Sequence, residues 1–119
     1  MLNNRQLADK FTLIGNLCEI KGEVIYVVLA YRKAAESLMS LPREAIEYWK
    51  EGKLREIPGV GKAIAEKIDE LLTTGKLQFL ENLKKEVPEE LAGWLAVPGL
   101  GPKKIAMIWK MLNITALAD

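Results

Sequence analysis

One five-residue pattern occurs twice in the second half of the chain and limits what the chain can fold into. Residues 57–61 (Ile-Pro-Gly-Val-Gly) and 97–101 (Val-Pro-Gly-Leu-Gly) both read apolar-Pro-Gly-apolar-Gly, and their prolines lie 40 residues apart, at positions 58 and 98. Apolar residues recur at helical spacing after each copy. An internal repeat of this kind predicts two copies of one small unit, each a helix, a tight turn and a second helix.

The chemistry of the repeated residues predicts the shape of each turn. Proline disfavours the helical conformation in the residue before it, so we expect Ile57 and Val97 to be extended. The glycines permit positive φ and leave no Cβ in the path of a ligand. The apolar residues between them, Val60 and Leu100, are expected to point inward and anchor the turns.

The rest of the chain also favours helices, so the predicted fold class is a compact all-α domain. The run 24–31 is ambiguous, because it is apolar throughout and rich in β-branched residues, as in a buried strand. We favour a helix there, since strong helix formers follow and no second strand-like run could pair with it. Gly22 is suited to a left-handed cap that ends the first helix. Outside the helices that follow each turn, the predicted helices are 4–19, 23–39, 43–52, 77–83 and 89–96.

Length and composition exclude several classes of protein. A chain of 119 residues forms one domain, or two small halves that share a core, which we place at 1–75 and 76–119. The chain has one cysteine and no histidine, which excludes a disulfide framework, Ser-His-Asp and HExxH catalytic sites, and argues strongly against a zinc site. No apolar run approaches the length of a membrane span. A lone thiol fits a reducing compartment, so we expect a cytoplasmic protein without membrane contact.

Each turn places the start of a helix, with its unpaired N–H groups, beside lysines. Such a helix start attracts anions, and the backbone phosphate of a nucleic acid is the anion we expect. A single copy of the pattern is usually only a turn between helices, but two matched copies favour binding. The net charge is only +1, so contact must come from backbone amides and a few lysines rather than from bulk charge. A P-loop or GxGxxG fingerprint is excluded, because no strand precedes either copy and the glycine spacing differs.

These residues resemble the helix-hairpin-helix DNA-binding motif, present twice. Together with residues 30–35, 64–70 and 74–77, they also resemble the N-terminal region of the family X DNA polymerases, a lyase-like domain followed by a second hairpin. The resemblance implies binding to DNA, with gaps, nicks or 5′-phosphate ends preferred. The DNA-binding residues it implies are Gly59, Val60, Gly61, Lys62, Ala63, Lys67, Gly99, Leu100, Gly101, Lys103 and Lys104.

The resemblance also implies a monovalent cation, K⁺ or Na⁺, at each hairpin. Backbone carbonyls would hold it, which suits an ion that prefers oxygen ligands. The matching carbonyls belong to Arg55, Ile57 and Val60 in the first copy, and to Leu95, Val97 and Leu100 in the second. Mg²⁺ is expected only in the polymerase region of the family, which these residues do not contain.

We expect the chain to be the N-terminal fragment of a longer polymerase. Residues 114–119 are interpreted as the first turn of a further helix, capped by Thr115. A natural stop after Asp119 would instead favour a free-standing binding protein.

An enzymatic alternative follows from the same resemblance. In eukaryotic members a lysine at the position of Lys67 forms a Schiff base with an abasic sugar and expels the 5′-deoxyribose phosphate, and Tyr31 is retained here. An amine nucleophile needs a lowered pKa. However, Val27, Ala63 and Phe79 stand where the family has supporting lysines. Lys67 therefore remains either a catalytic residue or a surface lysine that contacts phosphate, and a helical adaptor protein is a third alternative.

Several other side chains could be functional or structural. Tyr31 and Trp49 could stack on bases, but the helical spacing of Trp49 favours core packing, as it does for Trp94 and Trp109. The carboxylates Glu66, Asp69 and Glu70 are interpreted as a solvated helix face. On the apolar helix 24–31, Val27 or Leu29 is expected to be exposed and to contact a parent domain or a second copy of the chain.

Overall fold

The computed structural model describes the backbone of residues 1–118 and the side chains of residues 1–112. Every regular element in that part of the chain is helical, which confirms the all-α prediction. None of these helices is long and apolar enough to cross a membrane. The helices are α1 (Asn4–Lys21), α2 (Ile25–Ser40), α3 (Ala45–Lys50), α4 (Lys62–Thr74), α5 (Gln78–Glu86), α6 (Glu90–Gly93) and α7 (Pro102–Ala118), and 3-10 turns at Leu54–Glu56 and Trp94–Ala96 precede the two hairpins.

Helix α1 is the central element. It begins with a capping box in which Asn3 accepts the Gln6 N–H and the Gln6 side chain accepts the Asn3 N–H. It ends at Gly22, whose φ of 97° gives the predicted left-handed cap. Its buried residues recur at helical spacing, and it contacts α2, α5, α6 and α7. Burial of this apolar surface holds both halves of the chain to one helix.

The ambiguous run 24–31 belongs to α2, so the helix prediction is confirmed. Helix α2 buries Val28, Tyr31 and Leu38 against the core. Close packing on α1 occurs at Gly15, where an added Cβ would lie 3.2 Å from Cγ of Arg32. The guanidinium of Arg32 then reaches back to Glu19 on α1, at 2.6 Å.

Helix α3 is shorter than the predicted 43–52, and a side chain from the distant N-terminus fixes its start. The side chain of Asn4 accepts the Ala45 N–H at 2.6 Å and donates to the carbonyl of Arg43 at 3.0 Å. Because Ala45 is completely buried, its N–H has no access to water and needs this partner. The sequence analysis did not identify this link.

Helix α7 follows the second hairpin and continues without interruption to Ala118. The expectation that residues 114–119 start a new helix capped by Thr115 is therefore wrong, since no proline or glycine after Pro102 ends α7. Asp119 lies outside the described residues. Ile105 of α7 is fully buried in the core that α1 organises, and Trp94 and Trp109 are half-buried against it.

Candidate nucleic-acid interface

The first hairpin has the conformation that its sequence predicts. Ile57 is extended (φ −70°, ψ 127°) and Gly59 has a φ of 79°. The turn is closed by the Val60 N–H, which donates to the Ile57 carbonyl at 3.0 Å. The side chain of Val60 is buried, so it anchors the loop to the core as expected.

The second hairpin repeats this geometry. Val97 is extended (φ −79°, ψ 124°), Gly99 has a φ of 85°, and the Leu100 N–H donates to the Val97 carbonyl at 3.1 Å. The two copies differ in packing, since Val97 is 48% exposed whereas Ile57 is 1% exposed. Leu100 is partly buried against the core. The second hairpin is therefore held less firmly than the first.

Free backbone donors lie at the start of the helix that follows each turn. In α4 the first helical hydrogen bond is that of Ala65 to the Gly61 carbonyl, and among the described residues no acceptor faces the N–H groups of residues 61–64. In α7 the corresponding bond joins Ile105 to Gly101, and residues 101, 103 and 104 keep free N–H groups. Pro102 has no N–H, so the second hairpin has one donor fewer. The predicted residues Gly61, Lys62, Ala63, Gly101, Lys103 and Lys104 are all exposed.

The four hairpin glycines fall into two pairs with different roles. Gly59 and Gly99 have positive φ, which only glycine adopts without strain. A Cβ on Gly59 would also lie 2.8 Å from Cγ of Lys33, so α2 packs closely on this turn. In contrast, Gly61 and Gly101 have no positive φ, and a Cβ on either would meet nothing within 4 Å. Gly61 is also the N-cap of α4, where glycine is favoured over alanine, but neither position requires glycine for its φ angle or for space.

The carbonyls predicted to hold a cation belong to the turns themselves. Those of Ile57 and Val97 each accept one hairpin N–H, which leaves each oxygen a second lone pair. No group of three or more metal-binding side chains occurs in the described part of the chain. Backbone carbonyls of this kind fit K⁺ or Na⁺, and the cation remains a prediction.

The residues of the enzymatic alternative meet in one place. Nζ of Lys67 lies 4.7 Å from the ring centroid of Phe79 and 5.9 Å from that of Tyr31. Tyr31 is buried and its ring lies 5.9 Å from that of Phe79. Val27 joins Tyr31 and Phe79 in lining an adjoining cavity of about 360 Å³. The sequence analysis notes that Phe79 stands where the family has a supporting lysine. It does not predict that the Phe79 ring contacts the Lys67 ammonium.

The same cavity contains two groups that are kept protonated. Burial raises the pKa of the Tyr31 hydroxyl, and burial is also the main reason that the pKa of the Cys18 thiol is raised. At the rim Lys21 pairs with Glu86 at 2.6 Å and with Glu23 at 3.5 Å. Lys21 is the lysine in the lining of this cavity, and Lys67 is not part of that lining.

The aromatic and acidic residues of α3 and α4 are linked. Trp49 is half-buried against the core, and its indole N–H donates to Oδ1 of Asp69 at 2.6 Å. Glu70 accepts the backbone N–H of Gln78 at 2.7 Å and so supports the start of α5. The interpretation of these carboxylates as a solvated face is therefore incomplete, because two of them make structural hydrogen bonds.

The start of α2 carries the predicted exposed apolar surface. Leu29 is 52% exposed and Val27 is half-buried, as the sequence pattern indicates. Val24, Ile25 and Tyr26 extend this surface. Its partner, a parent domain or a second copy, stays a prediction.

Comparison with known proteins agrees with the first of the two turns. Residues 2–77 match the helix-hairpin-helix domain family. The chain belongs to this family. It is 41% identical over 96 residues (81% of the chain) to the DNA polymerase/3′-5′ exonuclease PolX of Bacillus subtilis (strain 168). It is 28% identical over 116 residues (98% of the chain) to DNA polymerase lambda of Rattus norvegicus.

These similarities confirm the resemblance to family X polymerases. The helix-hairpin-helix chain spans only 16% of the first relative and 19% of the second. The family match covers the first hairpin, and the second hairpin lies beyond residue 77.

Proposed function

We propose that this helix-hairpin-helix chain is the sequence-independent DNA-binding module of a family X polymerase, and that it holds backbone phosphates with the amides of both hairpins. The observation that carries the proposal is the pair Gly61 and Gly101. Both lie beside free N–H groups and face open space, and the fold itself does not require glycine there. A close approach of a phosphate to the backbone explains both the absent side chain and the free donors.

Electrostatics supports the same mode of binding. A helix start carries partial positive charge, and Lys62, Lys103 and Lys104 are exposed within the first turns of α4 and α7. Contacts to phosphates carry no sequence information, so affinity for different duplex sequences should be similar. With a net charge of only +1, long-range attraction is weak and the placed donors determine where DNA binds.

The finer features of the proposal come from the family. We place gapped, nicked or 5′-phosphorylated DNA as the preferred partner, a K⁺ or Na⁺ ion at the hairpin carbonyls, and the cytoplasm as the location. The bound ion would bridge the turn and a phosphate oxygen. Both relatives are DNA polymerases. We propose the same activity for the longer protein of which this chain would be a part.

A second candidate is 5′-deoxyribose-phosphate lyase activity through Lys67. Lys67 is half-buried and its amine lies 5.9 Å from the ring centroid of Tyr31, which favours this alternative. Two features argue against it. Val27 and Phe79 stand where the family has lysines, and Lys21, the lysine in the cavity lining, is already paired with Glu86 and Glu23, so the described lining offers no unpaired cation to grip the 5′-phosphate. Borohydride trapping with abasic DNA decides the matter. A covalent adduct that forms with the unmodified chain and disappears in Lys67→Ala establishes the lyase activity. If no adduct forms, the chain acts only as a DNA-binding module.

A salt titration tests the main proposal. Fluorescence anisotropy with blunt, nicked and gapped duplexes is measured between roughly 50 and 200 mM salt. If Lys62, Lys103 and Lys104 contact phosphates, the slope of log K against log salt should be about −3, since each contact contributes about −0.9. If none of the three DNAs shows salt-dependent binding, the proposed function fails and the helical adaptor protein is the alternative that remains.

A further inference from the structure

We propose that a cavity beside the first hairpin binds one unpaired nucleobase of the DNA strand whose phosphate that hairpin holds. This inference rests on the proposed DNA binding. The cavity, here named the Trp49 cavity, has a volume of about 460 Å³ and lies between Trp49 of α3, the 3-10 turn Leu54–Glu56 and residues 62–69 of α4. Its volume is within the range of small-molecule sites.

The indole ring in this cavity is fixed before any ligand arrives. Trp49 is partly buried against the core. Its indole N–H donates a hydrogen bond to Asp69, which also lines the cavity. A ring that is already ordered loses little side-chain entropy when a base stacks on it. An exposed tryptophan without such a hydrogen bond would have to be ordered by the ligand.

The charges around the Trp49 cavity favour a neutral ligand with polar edges. Its lining includes three basic side chains and three acidic ones, which are Lys53, Arg55, Lys62, Glu56, Glu66 and Asp69. The opposite signs balance, so a phosphate gains nothing by entering. A nucleobase carries both donors and acceptors on its edge and a flat apolar face, which match the charged rim and the indole.

The position of Lys62 joins the Trp49 cavity to the hairpin. This residue lines the cavity, and its backbone N–H is one of the free donors at the start of α4. A phosphate on the donor and a base in the cavity can therefore belong to neighbouring parts of one strand. In an intact duplex the bases are paired and stacked, and extruding one costs free energy, so an unpaired base in a gap or overhang enters most readily.

The test compares a blunt duplex with the same duplex carrying a gap of about three nucleotides, by anisotropy at one salt concentration. We expect Trp49→Ala to weaken binding to gapped DNA at least about five-fold, the effect of losing one base–aromatic stack, with little change for blunt DNA. Trp49→Phe keeps a ring and should lose less. Trp109→Phe, a half-buried tryptophan on α7 away from the cavity, is the matched control and should bind both DNAs normally.

Two outcomes separate this inference from the proposed function. If the unmodified chain binds neither DNA, the proposed function fails. If it binds both and Trp49→Ala reduces neither, or reduces both equally, the Trp49 cavity does not bind a base. Should Trp49→Ala not fold, the variant Trp94→Phe/Trp109→Phe leaves Trp49 as the only tryptophan. Its fluorescence should then be quenched by gapped DNA and not by blunt DNA, and equal quenching by both would overturn the inference.

Discussion

Alanine at the two glycines of the first hairpin should separate folding from DNA binding. At Gly59 a side chain must adopt a positive φ and lie 2.8 Å from Cγ of Lys33. At Gly61 the φ is −90° and a Cβ meets nothing within 4 Å. We therefore expect Gly59→Ala to destabilise the fold, and Gly61→Ala to leave the fold intact while it obstructs the approach of a phosphate.

The expected changes in stability follow from these two geometries. A left-handed alanine costs about 1–2 kcal/mol, and displacing Lys33 adds to that, so Gly59→Ala should cost about 2 kcal/mol or more. For a chain of this size about 2 kcal/mol lowers the Tm by roughly 8 °C. At Gly61, alanine reduces the entropy of the unfolded chain but caps a helix poorly, and these effects nearly cancel. Its Tm should stay within about 2 °C of the unmodified chain.

The expected change in affinity is the reverse. Losing one hydrogen bond to a charged phosphate costs about 1.5 kcal/mol, so Gly61→Ala should weaken DNA binding about ten-fold. Lys62→Ala, the neighbouring control, removes one exposed charge and should weaken binding by less. Circular dichroism melting and anisotropy with a blunt duplex measure the two effects. Normal binding by Gly61→Ala, together with a larger loss in Lys62→Ala, would refute the role of the backbone amides.

Three further predictions concern stability and reactivity. Because burial raises the pKa of Cys18, a thiol reagent near pH 8 should modify it slowly in the native chain and rapidly in denaturant; rapid native reaction would contradict its burial. Asn4→Ala leaves a buried N–H at the start of α3 unpaired and should cost about 1–3 kcal/mol by urea unfolding, so an unchanged midpoint would show that the link is dispensable. The hydrogen bond that the Lys21 ammonium donates to Glu86 raises the pKa of Lys21, so the contribution of this bond to stability is complete below the pKa of a free lysine and disappears as pH rises through the higher native value. Between about pH 9 and 12 the Tm of Glu86→Gln should therefore fall less than the Tm of the unmodified chain. Identical dependence of Tm on pH in the two proteins would count against a stabilising Lys21–Glu86 pair.

The local features of the fold could be predicted from the sequence. Gly22 ends α1, Ile57 and Val97 are extended, and Val60 is buried, because proline, glycine and apolar spacing act over a few residues. The candidate DNA-binding residues come from the repeat and from the resemblance that it carries, and their contact with DNA stays a prediction.

Contacts between distant segments could not be predicted. The pairs Asn4–Ala45 and Trp49–Asp69 lie 41 and 20 residues apart, and no periodicity relates them. The contact between Lys67 of α4 and the ring of Phe79 of α5 could not be predicted for the same reason, because it forms only when these two helices pack together. The same limit explains why the sequence analysis assigns Gly59 and Gly61 the same role, because their different φ angles and the position of Lys33 beside Gly59 exist only in the folded chain.

The most direct test of the central claim is a ¹H–¹⁵N NMR titration of the chain with a short blunt duplex. If the hairpin amides bind phosphates, the largest shifts should be those of Gly61, Lys62, Ala63, Gly101 and Lys103, with amides of α5 and α6 nearly unmoved. Saturable binding in which these five amides keep their positions, while signals elsewhere on the surface move, would contradict the account.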